Sequence, residues 1–131
     1  MLTKTKRCIA VVDDELSVRE ALGRLLRSAG YSVVLFASGS DFLLSLTEQR
    51  PDCVILDFAM PGMSGLDIVY ILMAAQMDVP AIIVTAQDDA ELERDSLDAG
   101  ARALLRKPIR EDQLFAAIEL SLEDRARMAV H

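Results

Sequence analysis

Five polar residues carry the chemistry this sequence can do: the adjacent acids Asp13 and Asp14, then Asp57, Thr85 and Lys107, the last followed by Pro108. Each stands at or just beyond the end of a short apolar run. Taken singly, each has an ordinary reading. Asp13 and Asp14 favour a helix N-terminus, Asp57 is a turn residue before Pro61-Gly62, Thr85 caps the helix after it, and Lys107 is a solvated charge. Delivered to one edge of one sheet, they mean something else. Three converging carboxylates repel one another and raise at least one pKa unless a cation sits among them. Oxygen donors without His or Cys suit Mg²⁺ or Mn²⁺, and Mg²⁺ with few protein ligands keeps coordination positions for a phosphoryl oxygen. Three carboxylates, one divalent cation and Lys107 sum to zero charge. Such a site can take a phosphoryl group onto a carboxylate: Asp57 attacks in line while metal and ammonium offset the equatorial charge.

The elements that must position these residues follow from the hydrophobic pattern. Apolar runs occur at Cys8 to Val12, Tyr31 to Ala37, Cys53 to Leu56, Ala81 to Val84 and Ala103 to Leu105, each followed by a longer segment with helical character. The first, third and fourth runs do not alternate with polar residues, as expected for parallel strands covered on both faces. Val18, Leu22, Leu25, Leu26 and Ala29 share one face of a first helix that stops at Gly30. Phe42, Leu43 and Leu46 mark a second helix, and Leu66, Val69, Tyr70 and Met73 a third. Between Asp88 and Ala99 the stripe is thin, with Ala90 and Leu97 separated by Glu93 and Arg94, so this fourth helix is expected to be loosely held before its stop at Gly100. Leu114, Ala117, Ile118 and Leu122 mark the fifth. The class is α/β: a doubly wound (βα)5 sandwich with helices on both faces and its functional crevice at the carboxyl ends of the strands.

Composition sets outer limits. In 131 residues there are 14 Lys and Arg against 21 Asp and Glu, a net charge of -7, spread along the chain rather than gathered in a tail. That balance argues against direct nucleic-acid binding by this chain. One domain is the default at this length, with enough buried surface to need no disulfide or structural metal. Cys8 and Cys53 lack CxxC spacing or a neighbouring His and are expected to be buried reduced thiols. No signal peptide or membrane span is visible, and a cytoplasmic location is expected. Met60, Met63, Met73 and Met77 read as packing or surface residues, His131 as a terminal residue and not a phosphodonor, and Arg125 and Arg127 as part of a frayed helix end.

Asp13-Asp14, the segment from Val54 to Gly65 with Asp57 inside it, Val84-Thr85-Ala86, Ala99-Gly100-Ala101 and Lys107-Pro108 together resemble the receiver domain of two-component response regulators, CheY-like in type. The resemblance covers about residues 7 to 122, leaving 1–6 as an N-terminal tail and 123–131 as a C-terminal tail or the start of a linker. It implies a five-stranded parallel sheet of order 2-1-3-4-5. It further implies that Asp57 is the phosphoacceptor, supplied by a sensor histidine kinase or phosphotransfer protein. Asp13 and Asp14 would hold Mg²⁺ directly or through water, Asp57 and the Ala59 backbone carbonyl would complete the ligand set, Thr85 would move to the phosphoryl oxygen, and Lys107 would pair with it. Self-phosphorylation would depend on Mg²⁺, and autodephosphorylation would be slow. Small Ala86 leaves room for the phosphoryl group, and a cis peptide is expected at Lys107-Pro108. One position departs from the pattern: where the family carries an aromatic residue three before the lysine, this chain has Leu104.

Two other functions compete. A phosphatase of the haloacid dehalogenase class also uses an Asp nucleophile with Mg²⁺, but needs a second acid two residues later, where Ala59 stands, and Gln87 at most orients a water. A pseudo-receiver that only binds is expected to lack one of the charged site residues, and all are present. The signal is expected to leave through the fourth helix, fifth strand and fifth helix, about residues 88 to 122, toward a receiver homodimer or a downstream partner. The chain reads equally as a single-domain regulator or as the receiver part of a DNA-binding regulator.

Overall fold

A strand whose every residue is apolar must be covered on both faces, and the computed structural model, which describes the backbone of residues 6–129 and side chains to residue 123, builds this cover from alternating strands and helices. The elements in order are β1 (Cys8–Val12), α1 (Leu16–Ser28), β2 (Ser32–Phe36), α2 (Gly39–Ser45), β3 (Cys53–Asp57), α3 (Gly65–Ala74), β4 (Ala81–Thr85), α4 (Ala90–Ala99), β5 (Ala103–Arg106) and α5 (Glu111–Ala129). The strands form one parallel sheet of order β2-β1-β3-β4-β5. Fold class and strand order are as expected from the sequence.

The unbroken apolar runs resolve into two interleaved alternations. Ala10, Val12, Val54, Leu56, Ala81 and Ile83 point to the face covered by Phe42 of α2, Leu46 at its C-terminal cap, and Ile68, Val69 and Leu72 of α3. Ile9, Val11, Cys53, Ile55, Ile82 and Val84 point to the other, against Leu22 and Leu26 of α1 and Leu114, Ala117 and Ile118 of α5. Burying each large aliphatic side chain contributes about 1.5–3 kcal/mol, so the three central strands are the stable heart of the molecule.

Two helix faces differ from the sequence reading. In α3 the buried side is Ile68, Val69 and Leu72, whereas Tyr70 and Met73 are 52% and 56% exposed. This helix is apolar all round, so hydrophobic spacing alone does not select its inner face. In α4 the buried residues are Leu92 and Ser96, while Ala90 and Leu97 lie on the exposed side. Its seat is thin, as expected, but consists of different residues. The cap of α4 is Asp89, which accepts from the Glu91 and Leu92 N–H groups; Thr85 is buried at the end of β4 and does not cap it. Ser64 and Asp67 form a reciprocal capping box on α3 that the apolar pattern did not disclose.

Glycine stops are found where expected: Gly30 with φ 97° just beyond α1, and Gly100 with φ 118° closing α4. Cys53 is buried, as expected, but Cys8 is only half-buried. Backbone α5 continues to Ala129, past Leu122 where the sequence reading places the end of the domain. Most of the expected N-terminal tail, the side chains of Arg125 and Arg127, and His131 lie outside the described residues.

Gly65 links fold to site. A Cβ at this position would sit 2.8 Å from the Asp57 backbone oxygen and 3.3 Å from Leu56 Cβ, because α3 begins directly against the end of β3. Gly65→Ala is expected to destabilise the protein by about 1–3 kcal/mol through forced overpacking, exceeding the smaller gain in helix propensity. Urea denaturation checks this; unchanged stability would mean that the backbone there yields freely.

Candidate functional site

The parallel sheet sends the carboxyl ends of β1, β3, β4 and β5 to one edge. β1 ends at Val12, and the Asp13 N–H donates to the Phe36 carbonyl at 3.1 Å, carrying the sheet pattern one residue further. Asp13 is thereby held in the edge at 3% exposure, whereas Asp14, one residue on, is exposed. The acid pair does not cap α1: the cap position is Glu15, which makes no side-chain cap bond. Instead Asp13 Oδ1 accepts the Glu15 N–H at 2.9 Å, and the Arg19 guanidinium donates to the Asp13 carbonyl at 2.7 Å.

Asp57 ends β3 at 6% exposure, and Thr85 ends β4 at 1%. The next residue, Phe58, donates its N–H to the Val84 carbonyl at 2.8 Å and accepts from the Gly65 N–H at 3.0 Å, which fixes the start of the loop carrying Ala59. Ala59 itself is exposed. Thr85 Oγ1 accepts the Gln87 N–H at 3.1 Å. Lys107 follows β5, its N–H donating to the Thr85 carbonyl at 2.8 Å, and the peptide to Pro108 is cis, as expected.

These placements bring the acids together. Oxygens of Asp13, Asp14 and Asp57 lie within 4.8 Å of one another. Lys107 Nζ reaches Asp57 Oδ1 at 3.2 Å and Asp13 Oδ2 at 3.8 Å. The acid cluster read from the sequence is therefore a real assembly, with Thr85 and Lys107 on its β4–β5 side.

The electrostatics follow from burial. Desolvation pushes the Asp13 carboxyl above its ordinary value; the Glu15 N–H pulls it down, the Asp57 charge pushes it up, and Lys107 offsets part of the rise. Asp57 is also raised, first by burial, against the hydrogen bond and charge of Lys107 and with the charges of Asp14 and Glu15. Burial works to lower the Lys107 pKa, but Asp57, Asp13 and Glu15 outweigh it and hold the ammonium above its usual range. One cation is thus shared by carboxylates it does not neutralise. The all-oxygen donor set and the residual negative charge fit a hard divalent cation such as Mg²⁺ or Mn²⁺.

Two contributors escaped the sequence reading. Arg19 anchors the loop that carries the acid pair, and a signal for it exists: a basic residue in the first turn of a helix opposes the macrodipole and calls for a local acceptor. Gly65 holds α3 against Asp57; in sequence it is merely the second glycine of a loop.

The comparisons with known proteins agree with this geometry. Residues 9–119 match the response regulator receiver domain model. The chain is 36% identical over 118 residues to the transcriptional regulatory protein FixJ of Bradyrhizobium diazoefficiens, covering 90% of this chain and 58% of that protein. To the response regulator protein TodT of Pseudomonas putida it is 38% identical over 115 residues, covering 88% and 51%. The chain thus spans little more than half the length of these relatives. Among solved structures, the FixJ N-terminal domain superposes with a TM-score of 0.84 at 28% identity, covering 92% of this chain and 96% of that one. The edge that gathers Asp13, Asp14, Asp57, Thr85 and Lys107 belongs to a member of the response regulator receiver domain family, a signalling domain of two-component systems.

Proposed function

We propose that Asp57 accepts a phosphoryl group from a phosphohistidine on a sensor kinase or phosphotransfer protein. The observation that carries this reading is the placement of the Asp57 carboxylate at the buried carboxyl end of β3, within 3.2 Å of Lys107 and in the same cluster as Asp13 and Asp14. A carboxylate oxygen of Asp57 forms the new bond to phosphorus, and the bond to the donor nitrogen breaks with its electron pair returning to the imidazole. Lys107 pairs with the added negative charge, and the Thr85 hydroxyl supplies a hydrogen bond to a phosphoryl oxygen. Asp13, Asp14, Asp57 and the Ala59 carbonyl hold Mg²⁺, directly or through water. When bound, that cation supplies compensation for the charge on the phosphoryl oxygens. Small phosphodonors serve in the same way in the presence of Mg²⁺, and hydrolysis of the phospho-Asp57 is slow because no acid or base stands at Ala59.

An apolar groove supports docking of the donor beside this site. Val18, Ala21 and Leu25 of α1 face Pro108 and Ile109 across about 460 Å³ that opens at Lys107. The receiver unit is residues 7–122, acting in the cytoplasm, and its α4, β5 and α5 face passes the signal to an output partner or a second receiver. No helix among the described residues is long and apolar enough to cross a membrane. Direct nucleic-acid contact is assigned to a partner or a further segment, because the chain carries a net charge of -7.

Intact-mass measurement after acetyl phosphate and Mg²⁺ is expected to show one added phosphoryl group in the native chain and none in Asp57→Asn. Persistent labelling of the variant overturns the assignment.

Asp13→Asn tests the electrostatics without removing the acceptor for the Glu15 N–H. Because burial raises the Asp13 carboxyl, the folded metal-free protein holds its proton to higher pH than the unfolded chain does. Stability is therefore lost as pH rises from the ordinary carboxylate range through the raised folded value. In EDTA at pH 7 the variant is expected to be more stable by about 1 kcal/mol, with the difference closing as pH falls through that window. Added Mg²⁺ is expected to stabilise the native chain and have little effect on the variant. Urea denaturation across pH measures both; equal stability at every pH would show that Asp13 is not electrostatically frustrated.

A further inference from the structure

Arg106 is the last residue of β5 and lies in register with Thr85 on β4, immediately before Lys107. Its guanidinium holds two acids from outside its own strand. Nε is 3.1 Å from Asp88 in the loop after β4, and one terminal nitrogen is 3.2 Å from Glu93 on α4. One side chain thereby spans the edge strand, the β4–α4 loop and the helix.

The same loop is tied to the acidic site. Thr85 Oγ1 accepts the N–H of Gln87, the residue before Asp88. A hydroxyl turned toward a group on Asp57 has to rearrange that bond, and moving Gln87 displaces Asp88 with it. The helix beyond is weakly seated: its two buried side chains are Leu92 and Ser96, and the Ser96 hydroxyl, fully buried, has no hydrogen-bond partner among the described residues. A helix with so little holding it can be positioned by surface charges that would count for little elsewhere.

We infer that Arg106 is a positioning residue, a latch that holds the β4–α4 loop and α4 in the arrangement belonging to unmodified Asp57 and releases them when Thr85 turns inward. The inference rests on the Asp57 reading given above. Contacts present in only one of two states bias the equilibrium between them, and by reciprocity they weaken whatever ligand favours the other state. Losing the latch therefore makes the site easier to occupy.

The test uses the full chain with beryllium fluoride and Mg²⁺, comparing native protein with Arg106→Ala, Arg106→Lys and Asp88→Asn/Glu93→Gln by NMR titration. Arg106→Ala is expected to bind about threefold more tightly than the native chain, with Arg106→Lys between them. In the double acid variant, a further change of Arg106 to Ala is expected to add nothing, because its partners are already gone. Salt at 0.5 M, roughly, is expected to close the gap between native chain and Arg106→Ala, since the pairs are exposed. Hydrogen exchange of the free proteins is expected to be faster over residues 86 to 96 in Arg106→Ala. Equal affinity and equal exchange in native chain and Arg106→Ala overturn the latch. Failure of the native chain to bind beryllium fluoride overturns the Asp57 reading instead, and exchange in the free proteins then decides the latch alone.

Discussion

The whole arrangement depends on holding like charges together in a place where water cannot screen them. Asp13 and Asp57 are both nearly fully buried, a third carboxylate lies within 4.8 Å, and a single ammonium is shared between two of them. Left to itself, such a cluster would spread apart. It does not, because the backbone holds the two buried acids in place, with the Glu15 N–H and Lys107 meeting their side chains. Asp57 is the last residue of a strand buried on both faces, and Asp13 extends a strand through its N–H bond to Phe36. The core on each side of the sheet supplies the rigidity, and the site converts that rigidity into unsatisfied charge that a divalent cation and a phosphoryl group can use.

This division runs across the molecule. β1, β3 and β4 carry the acids and Thr85, and their residues are buried almost without exception. β5 and α4, beside them, are only partly covered: β5 has no buried residue and α4 has two. A stiff site next to a loosely seated helix is what a signalling domain requires. A few contacts made at the site can redistribute the population of the helix without deforming the core.

How much of this was legible in the sequence follows from the kind of information each feature needs. The five strands were legible because a short apolar run followed by a helical segment has one stable environment in an α/β domain. The site was legible because parallel strands all end on the same edge, so polar residues closing successive runs converge whatever the helices do. The inner face of α3 was not, since Leu66, Tyr70 and Met73 are as apolar as Ile68 and Leu72 and the helix crossing decides among them. Residue type alone did not decide the cap of α4, because Thr85 and Asp89 both have capping side chains; only the strand's length shows that Thr85 is spent in the sheet. Arg106 was invisible, and Arg19 only faintly signalled, for another reason. Each acts through a partner brought close by the fold: a backbone carbonyl in one case, acids across a strand and a helix in the other.

Leu104 shows how the parts must cooperate in this chain. It faces Ile83 across the β4–β5 pairing and packs, partly buried, against the cluster formed by α2 and α3. An aromatic ring there would exchange a large area between core and solvent in one step, which makes a sharp two-state element. A leucine has less area to exchange and no hydroxyl with which to mark either position. The free-energy difference between α4 arrangements must then come from elsewhere along the same strand pair. The structure offers two such sources next to the site: the Thr85 hydroxyl, held by the Gln87 N–H, and the Arg106 ion pairs to Asp88 and Glu93. Both lie within two residues of Lys107 or Thr85 along the chain or across the register. In the latch reading, the site and its readout are coupled through a short run of backbone and exposed charge, where salt can tune it, instead of through the replacement of one buried ring by another.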